Sequence, residues 1–169
     1  MAKENEYLAL SQEIGFIEQV AEQFVDNCLI TSKRTKRKMD QESLAWLALN
    51  ALRFYIAIED IFARVAKVVD ETVPSGRDSH IPLLRQMAVE MPGKRPAIIS
   101  STTFSYLNDL RSFRHRMIHA YQDPLEWDKM SGVIQMMPAC FNALGTELQV
   151  FRKFLQGVAE IAQKDGEGL

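Results

Sequence analysis

The fold of this chain is decided by residues 44–65, which read Leu44-Ala-Trp-Leu-Ala-Leu-Asn-Ala-Leu-Arg-Phe-Tyr-Ile-Ala-Ile-Glu-Asp-Ile-Phe-Ala-Arg-Val65. Apolar side chains recur here three and four residues apart, which places them on one face of an α-helix. Asp40 is a suitable N-cap for this helix, and the apolar face continues to Val69. We therefore predict a helix from Asp40 to about Glu71, roughly 45 Å long at 1.5 Å per residue. A helix of that length is a main strut of a helical bundle.

The rest of the chain is also predicted to be helical, since no segment alternates as a strand does. We predict a first long helix from about Glu6 to Ile30, a short helix from Pro82 to about Met91, and a third long helix from near Thr103 to about Tyr121, capped within Ser100–Thr102. The predicted fold class is all-α: an antiparallel bundle of four long helices plus one short helix, forming a single domain over residues 1–169.

The last predicted helix runs from Pro124 to about Lys164. Asp123 has the properties of an N-cap, Pro124 of a first helical residue, and Glu126 of the reciprocal capping partner. Pro138 is expected to kink this helix, because proline removes a backbone donor and clashes with the preceding turn. Residues 165–169 are expected to form a frayed tail.

Composition limits the function classes. The formal net charge of −2 excludes a uniformly cationic nucleic-acid binder, so any affinity for RNA has to come from local patches. Cys28 and Cys140 are too few for a disulfide framework or a zinc cluster and indicate a reducing compartment. No signal peptide and no apolar run long enough for a membrane span is recognisable. We therefore expect a cytoplasmic protein with no membrane contact.

Residues 31–38 hold five basic side chains in eight positions. This segment is predicted to be a loop or a frayed helix end. Two interpretations remain open: a solvated linker whose cations suit the C-terminus of a helix, or a patch that binds RNA phosphates.

The candidate functional strip is Leu110-Arg-Ser-Phe-Arg-His-Arg-Met-Ile-His-Ala-Tyr121. Three arginines and two histidines fall within nine of these residues, and no acidic residue interrupts them. Such a cationic strip with imidazoles suits a phosphodiester substrate. On a regular helix Arg114 projects from an apolar face, which is unfavourable unless the guanidinium is paired or opens onto a cleft. Glu59 and Asp60 are its expected partners within the chain.

Arg114 and His119 lie about 140° apart on a straight helix. One regular helix therefore does not easily direct both side chains at a single phosphate. We predict a homodimer in which two copies of the strip meet across a two-fold axis.

The residues Arg114-His-Arg-Met-Ile-His119-Ala-Tyr121 resemble the R-x4-H-x-Y motif of the HEPN superfamily, and most closely that of the HepT-like ribonuclease toxins. The flanking sequence supports this resemblance over about residues 44–130. The matching segments are Arg111–His115, Tyr55–Phe62 (Y-x-x-I-E-x-I-F), Val73–Gly76, His80, Leu83-Leu84 and Arg95-Pro96. His115 stands where many HEPN ribonucleases have Asn, which leaves open whether it takes part in the chemistry.

The resemblance implies an endoribonuclease toxin that needs no metal and no cofactor. His119 is then the base that takes the proton of the ribose 2′-hydroxyl, and Arg114 stabilises the charge on the reacting phosphate. Arg111 and Arg116 position flanking phosphates, and Tyr121 donates a hydrogen bond or stacks on a base.

The resemblance also implies a partner, a nucleotidyltransferase antitoxin that silences the toxin by transferring AMP to Tyr121. Two alternatives remain open at this point. One is a HEPN module that binds a nucleotide or a partner without catalysis, and the other is a structural helical protein whose strip is an interface.

Overall fold

A computed structural model describes residues 2–34, 39–76, 79–119 and 124–167. Within these ranges the chain forms five α-helices and one π-helical turn, and the predicted all-α fold class is confirmed. The elements are α1 (Ala2–Arg34), α2 (Gln41–Val65), the π-helical turn (Ala66–Asp70), α3 (His80–Met87), α4 (Ser101–His119) and α5 (Trp127–Glu167).

The ends of α2 agree with the local signals in the sequence. The Asp40 carboxylate accepts the backbone N–H of Ser43 at 2.8 Å, as an N-cap does. That hydrogen bond lowers the pKa of Asp40. The helical path continues through the π-helical turn and stops at Glu71, whose left-handed φ of 56° ends the backbone pattern.

Contacts along α1 and α2 establish that the two helices are antiparallel. Lys3 near the start of α1 pairs with Glu71, just past the π-helical turn, at 2.7 Å. Asn27 near the other end donates to Asn50 at 3.0 Å. Helix α5 is likewise antiparallel to α1, since Gln156 donates to Ser11 at 3.2 Å and Arg152 to Glu18 at 3.4 Å.

The core lies between α1, α2, α4 and α5, with α3 against one end, and is filled mainly by aliphatic side chains. Burial of each such side chain contributes about 1.5–3 kcal/mol. The largest fully buried members are Phe54, Phe113, Leu10, Ile14, Leu47, Ile58, Ile61, Met87, Leu107, Leu110, Met130 and Met137. This core sets which faces of α2 and α4 remain accessible.

The start of α5 differs from the prediction. Pro124, Leu125 and Glu126 precede the helix, which begins at Trp127. The reason is a tertiary contact: the Gln41 side-chain amide donates to the Leu125 carbonyl at 2.9 Å and accepts its N–H at 3.1 Å. These bonds satisfy the Leu125 backbone outside a helix. Asp123, the predicted N-cap, lies outside the described residues.

Three other helix boundaries also differ. Helix α1 continues to Arg34, so the first residues of the basic segment are helical, and residues 35–38 lie outside the described ranges. Helix α5 runs through Pro138 and on to Glu167, into the predicted tail. Helix α3 spans His80–Met87 and not Pro82–Met91. It ends early because Met91 instead pairs with Arg95 in an isolated β-bridge.

A buried ion pair joins the segment after α3 to the end of the π-helical turn. Arg95 donates through Nε and Nη2 to the two carboxylate oxygens of Asp70, each at 2.7 Å. Gln86 of α3 donates to the same carboxylate at 2.6 Å, and its backbone carbonyl accepts from Arg95 at 3.0 Å. These bonds hold α3, and with it His80, against the end of the second helix.

None of the helices in the described part of the chain has the length and apolarity that a membrane span requires.

Candidate active site

Helix α4 carries the candidate strip and begins slightly before the predicted Thr103. The Ser100 hydroxyl accepts the N–H of Thr103 at 3.3 Å and so caps the helix, which starts at Ser101. The predicted apolar face is present in the structure: Leu107, Leu110 and Phe113 are buried. Met117 is half-buried and packs against the core.

Arg114 projects from this apolar face toward α3. Its side chain is half-buried, and Nη1 donates to Nε2 of His80 at 3.3 Å. The Nε atom is buried and has no hydrogen-bond partner among the described residues. The guanidinium is therefore only partly satisfied, which is uncommon for a buried polar group.

His80, the first residue of α3, lies between Arg114 and Glu59 of α2. Its Nδ1 contacts the Glu59 carboxylate, and the two side chains retain 33% and 15% of their exposure. A guanidinium has only donors, so Nε2 of His80 has to accept from Arg114. The network therefore assigns the neutral tautomer, in which Nδ1 carries the proton and donates to Glu59.

The expectation that Arg114 pairs with Glu59 or Asp60 is wrong as to direct contact. Glu59 reaches Arg114 only through His80. Asp60 instead accepts from Arg64 at 3.1 Å on its own helix. The physical reason is helical geometry, because Asp60 lies about 100° further round α2 than Glu59.

Tyr55 completes what we call the Glu59 cluster: Tyr55, Glu59, His80 and Arg114. Tyr55 is buried, and this burial raises the pKa of its hydroxyl. The negative charge of the nearby Glu59 raises this pKa further, while the charges of Arg111 and Arg114 oppose the shift. Tyr55 therefore stays protonated beside Glu59.

The other two arginines of the strip make no hydrogen bond to the Glu59 cluster in the described part of the chain. Arg111 donates to Asn108 at 3.0 Å and to Ser112 at 3.2 Å, both on its own helix. Arg116 is exposed and lines a cavity of about 280 Å³ between α4 and α5, together with Ser112 and Lys129. His115 is also exposed. The structure thus places Arg116 away from the Glu59 cluster, while Arg111 is close enough for its charge to act on Tyr55.

The two remaining predicted site residues are at the limit of the described chain. His119 is the last residue of α4, and its side chain lies outside the described residues. Tyr121 lies in the undescribed range 120–123. The convergence of Arg114 and His119 on one phosphate therefore stays a prediction.

Among the side chains that the structure describes, no three of His, Cys, Asp and Glu come together as a group able to hold a metal ion.

Sequence reasoning missed the role of His80 and Tyr55. His80 is 21 residues from Glu59 and 34 from Arg114, so no local spacing connects them. The only signal in the sequence was that both residues fall in segments that resemble the HEPN superfamily. That resemblance did not indicate that they contact each other.

A comparison with models of protein families shows to which family this chain belongs. A family model described as HepT-like protein matches residues 47–155. The chain belongs to the HepT-like family. This is a toxin family of the HEPN superfamily, and the resemblance found in the sequence is thereby confirmed. No curated protein and no solved structure matches the chain. The HepT-like match includes all four residues of the Glu59 cluster.

Proposed function

We propose that this HepT-like protein is a metal-independent endoribonuclease toxin of the HEPN type. The observation that carries the proposal is the state of Arg114. Its guanidinium, on α4, contacts the His80 imidazole at 3.3 Å through Nη1 and has a buried Nε without a partner in the described part of the chain. A cation held in this way is suited to bind a phosphate oxygen.

The proposed reaction is an internal transesterification of RNA. His119 takes the proton of a ribose 2′-hydroxyl, whose oxygen then attacks the adjacent phosphorus. The new bond joins the 2′-oxygen to phosphorus, the bond to the 5′-oxygen breaks, and that oxygen leaves with a proton. The products are a 2′,3′-cyclic phosphate and a 5′-hydroxyl end. DNA lacks the attacking hydroxyl and is expected to be inert.

The supporting residues act around this centre. Arg114 stabilises the negative charge that builds on the non-bridging phosphate oxygens. Arg111 and Arg116 position neighbouring phosphates, and Tyr121 donates a hydrogen bond or stacks on a base. His115 is exposed on the same helix, and the effect of His115→Ala on cleavage decides whether it gives the proton to the leaving 5′-oxygen.

The proposed setting includes two partners. A second copy of the chain forms a homodimer in which the α4 helices of the two chains meet. A nucleotidyltransferase antitoxin silences the toxin by transferring AMP to Tyr121, since an added phosphate beside Arg114 and His119 occupies the place of the substrate. Both partners and the protein itself are proposed to be cytoplasmic.

The test is cleavage by the purified protein in EDTA, with no partner present. We expect RNA to be cut to 2′,3′-cyclic phosphate ends and DNA of the same sequence to stay intact. His119→Ala should bind RNA but cleave it about 10²–10⁴ times more slowly, the usual effect of losing a general base. Wild-type cleavage by His119→Ala, or an absolute need for a divalent metal, contradicts the proposal. A protein that binds RNA and never cleaves it is a binding module.

A further inference from the structure

We propose that His80 is a positioning residue, which holds Nη1 of Arg114 and so directs the guanidinium toward an RNA phosphate. The inference rests on the proposed function in one respect, namely that RNA supplies the phosphate. It assigns to His80 and Glu59 the task of presenting the guanidinium without neutralising its charge.

Arg95 and Arg114 of this protein use the same part of the guanidinium differently. Arg95 grips the Asp70 carboxylate with Nε and Nη2, each at 2.7 Å, while its Nη1 donates to backbone carbonyls at 3.1 Å. Arg114 also has Nη1 engaged, by His80. Its Nε is buried and makes no hydrogen bond with the described residues. The edge that binds a carboxylate in Arg95 therefore meets no carboxylate of the described chain in Arg114.

Contact with His80 leaves the positive charge of Arg114 without a directly bonded carboxylate from the described residues. A carboxylate in direct bidentate contact with Arg114 would neutralise it and take the same N–H groups that a phosphate needs. His80 avoids this because its Nε2 is a neutral acceptor for a single N–H. Glu59 lies on the far side of the imidazole and fixes the tautomer that makes Nε2 an acceptor. Its carboxylate lies beside the buried Tyr55 hydroxyl.

The position of His80 is well determined. Its helix, α3, is held to the π-helical turn through Gln86, which donates to the Asp70 carboxylate at 2.6 Å and accepts from Arg95 at 3.0 Å through its backbone carbonyl. Glu59 is on the long α2 and Arg114 on α4. Three separate helices therefore meet at this imidazole, and a change in its chemistry alters the guanidinium without removing a core side chain.

The proposal is tested by RNA binding with three substitutions of His80. The ligand is a short 2′-O-methyl RNA, which cannot be cleaved because it lacks the attacking hydroxyl, and affinity is followed by fluorescence anisotropy. His80→Gln supplies a donor for Glu59 and a neutral acceptor for Arg114, so it should stay within about threefold of wild type. His80→Ala removes the acceptor and should weaken binding about 3–10-fold, the usual effect of one hydrogen bond. His80→Glu brings a carboxylate to Arg114 and should weaken binding more than His80→Ala does.

The same substitutions in an Arg114→Ala background separate positioning from general damage. If His80 acts through Arg114, replacing it there should produce no further loss of affinity. Equal losses in both backgrounds overturn the proposal, and so does a His80→Glu variant that binds as well as His80→Ala. Thermal unfolding identifies variants that fail to fold. If His80→Ala is one of them, the difference in RNA affinity between His80→Gln and His80→Glu decides whether His80 positions Arg114.

A separate readout distinguishes failure of this inference from failure of the ribonuclease proposal. In ¹⁵N NMR spectra of the free protein, the hydrogen bond to His80 should slow rotation of the Arg114 guanidinium in wild type and in His80→Gln. In His80→Ala the guanidinium should rotate faster, so that the separate signals of the Arg114 Nη groups merge into one averaged signal. Unchanged signals in His80→Ala overturn the positioning role. If wild type does not bind RNA but the NMR result is as expected, the RNA ligand is wrong and the positioning role stands.

Discussion

Asp70 and Arg95 form a bidentate ion pair whose two side chains are completely buried. The remaining donors of Arg95 are used by the carbonyls of Val89, Pro96 and Gln86. Gln86 donates to the Asp70 carboxylate, and Lys94 donates to the Asp70 backbone carbonyl. Because every member of this network is bonded, removal of one partner leaves an uncompensated charge in the protein interior.

Asp70→Asn should therefore lower the free energy of unfolding by about 3–5 kcal/mol, as expected when one partner of a buried pair is removed. Urea denaturation followed by circular dichroism measures the change. Lys3→Ala is the control, since it breaks a pair in which 61% and 54% of the side chains are exposed, and it should change stability little. A similar small effect for both variants contradicts this account of the network.

Arg114→Ala should weaken RNA binding about tenfold or more and should also slow cleavage, because it removes a charge-assisted contact to the phosphate. Stability should be unchanged or slightly higher, since the buried Nε without a partner is lost as well. Anisotropy, cleavage and thermal unfolding measure the three effects. Arg53→Ala, an exposed arginine on α2, is the charge-matched control and should behave as wild type. Equal losses of affinity in the two variants mean that Arg114 attracts RNA only through the general positive charge of the surface and makes no specific contact.

His115→Ala should reduce cleavage far less than His119→Ala does. His115 is exposed, and on the helix it lies about 100° from Arg114, away from the Glu59 cluster. Single-turnover cleavage of one RNA by both variants gives the comparison. A loss of about 10²-fold or more in His115→Ala instead makes it the proton donor to the leaving 5′-oxygen.

The homodimer should be detectable by light scattering at micromolar concentration, with a mass about twice 19.3 kDa. Ile118 is 40% exposed near the end of α4. A charge placed there by Ile118→Glu should weaken the contact between two α4 helices, shift the protein toward the monomer and reduce cleavage. Val150→Glu on α5 is the control, because it changes a side chain that is 64% exposed outside the strip. A monomeric wild type that still cleaves RNA contradicts the prediction that two chains form the site.

Tyr121→Phe should retain most of the cleavage activity and resist silencing by an AMP-transferring antitoxin, since it lacks only the hydroxyl that accepts AMP. Mass spectrometry after co-expression with such a partner should find an AMP adduct on wild type and none on Tyr121→Phe. Tyr106→Phe, a tyrosine elsewhere on α4, is the control and should still be modified. An adduct on the Tyr121→Phe variant places the modification at another residue.

The helices of this protein could be predicted from its sequence because their signals are local. The apolar spacing of α2, the Asp40 cap and the end at Glu71 all depend on residues within one or two turns of each other. The apolar face of α4 and the unusual position of Arg114 within it followed from the same periodicity. The relationship to the HepT-like family was also present in the sequence, as a pattern of residue types.

Tertiary structure decided the partners of these residues. The start of α5 moved to Trp127 because Gln41, 84 positions away from Leu125, holds the backbone before it. Arg114 meets His80 and not Asp60 because the bundle sets the rotation of α2 and the placement of α3. Periodicity specifies which face of a helix is buried. It does not specify which side chain of another helix that face will meet, since this depends on the packing of helices distant in sequence.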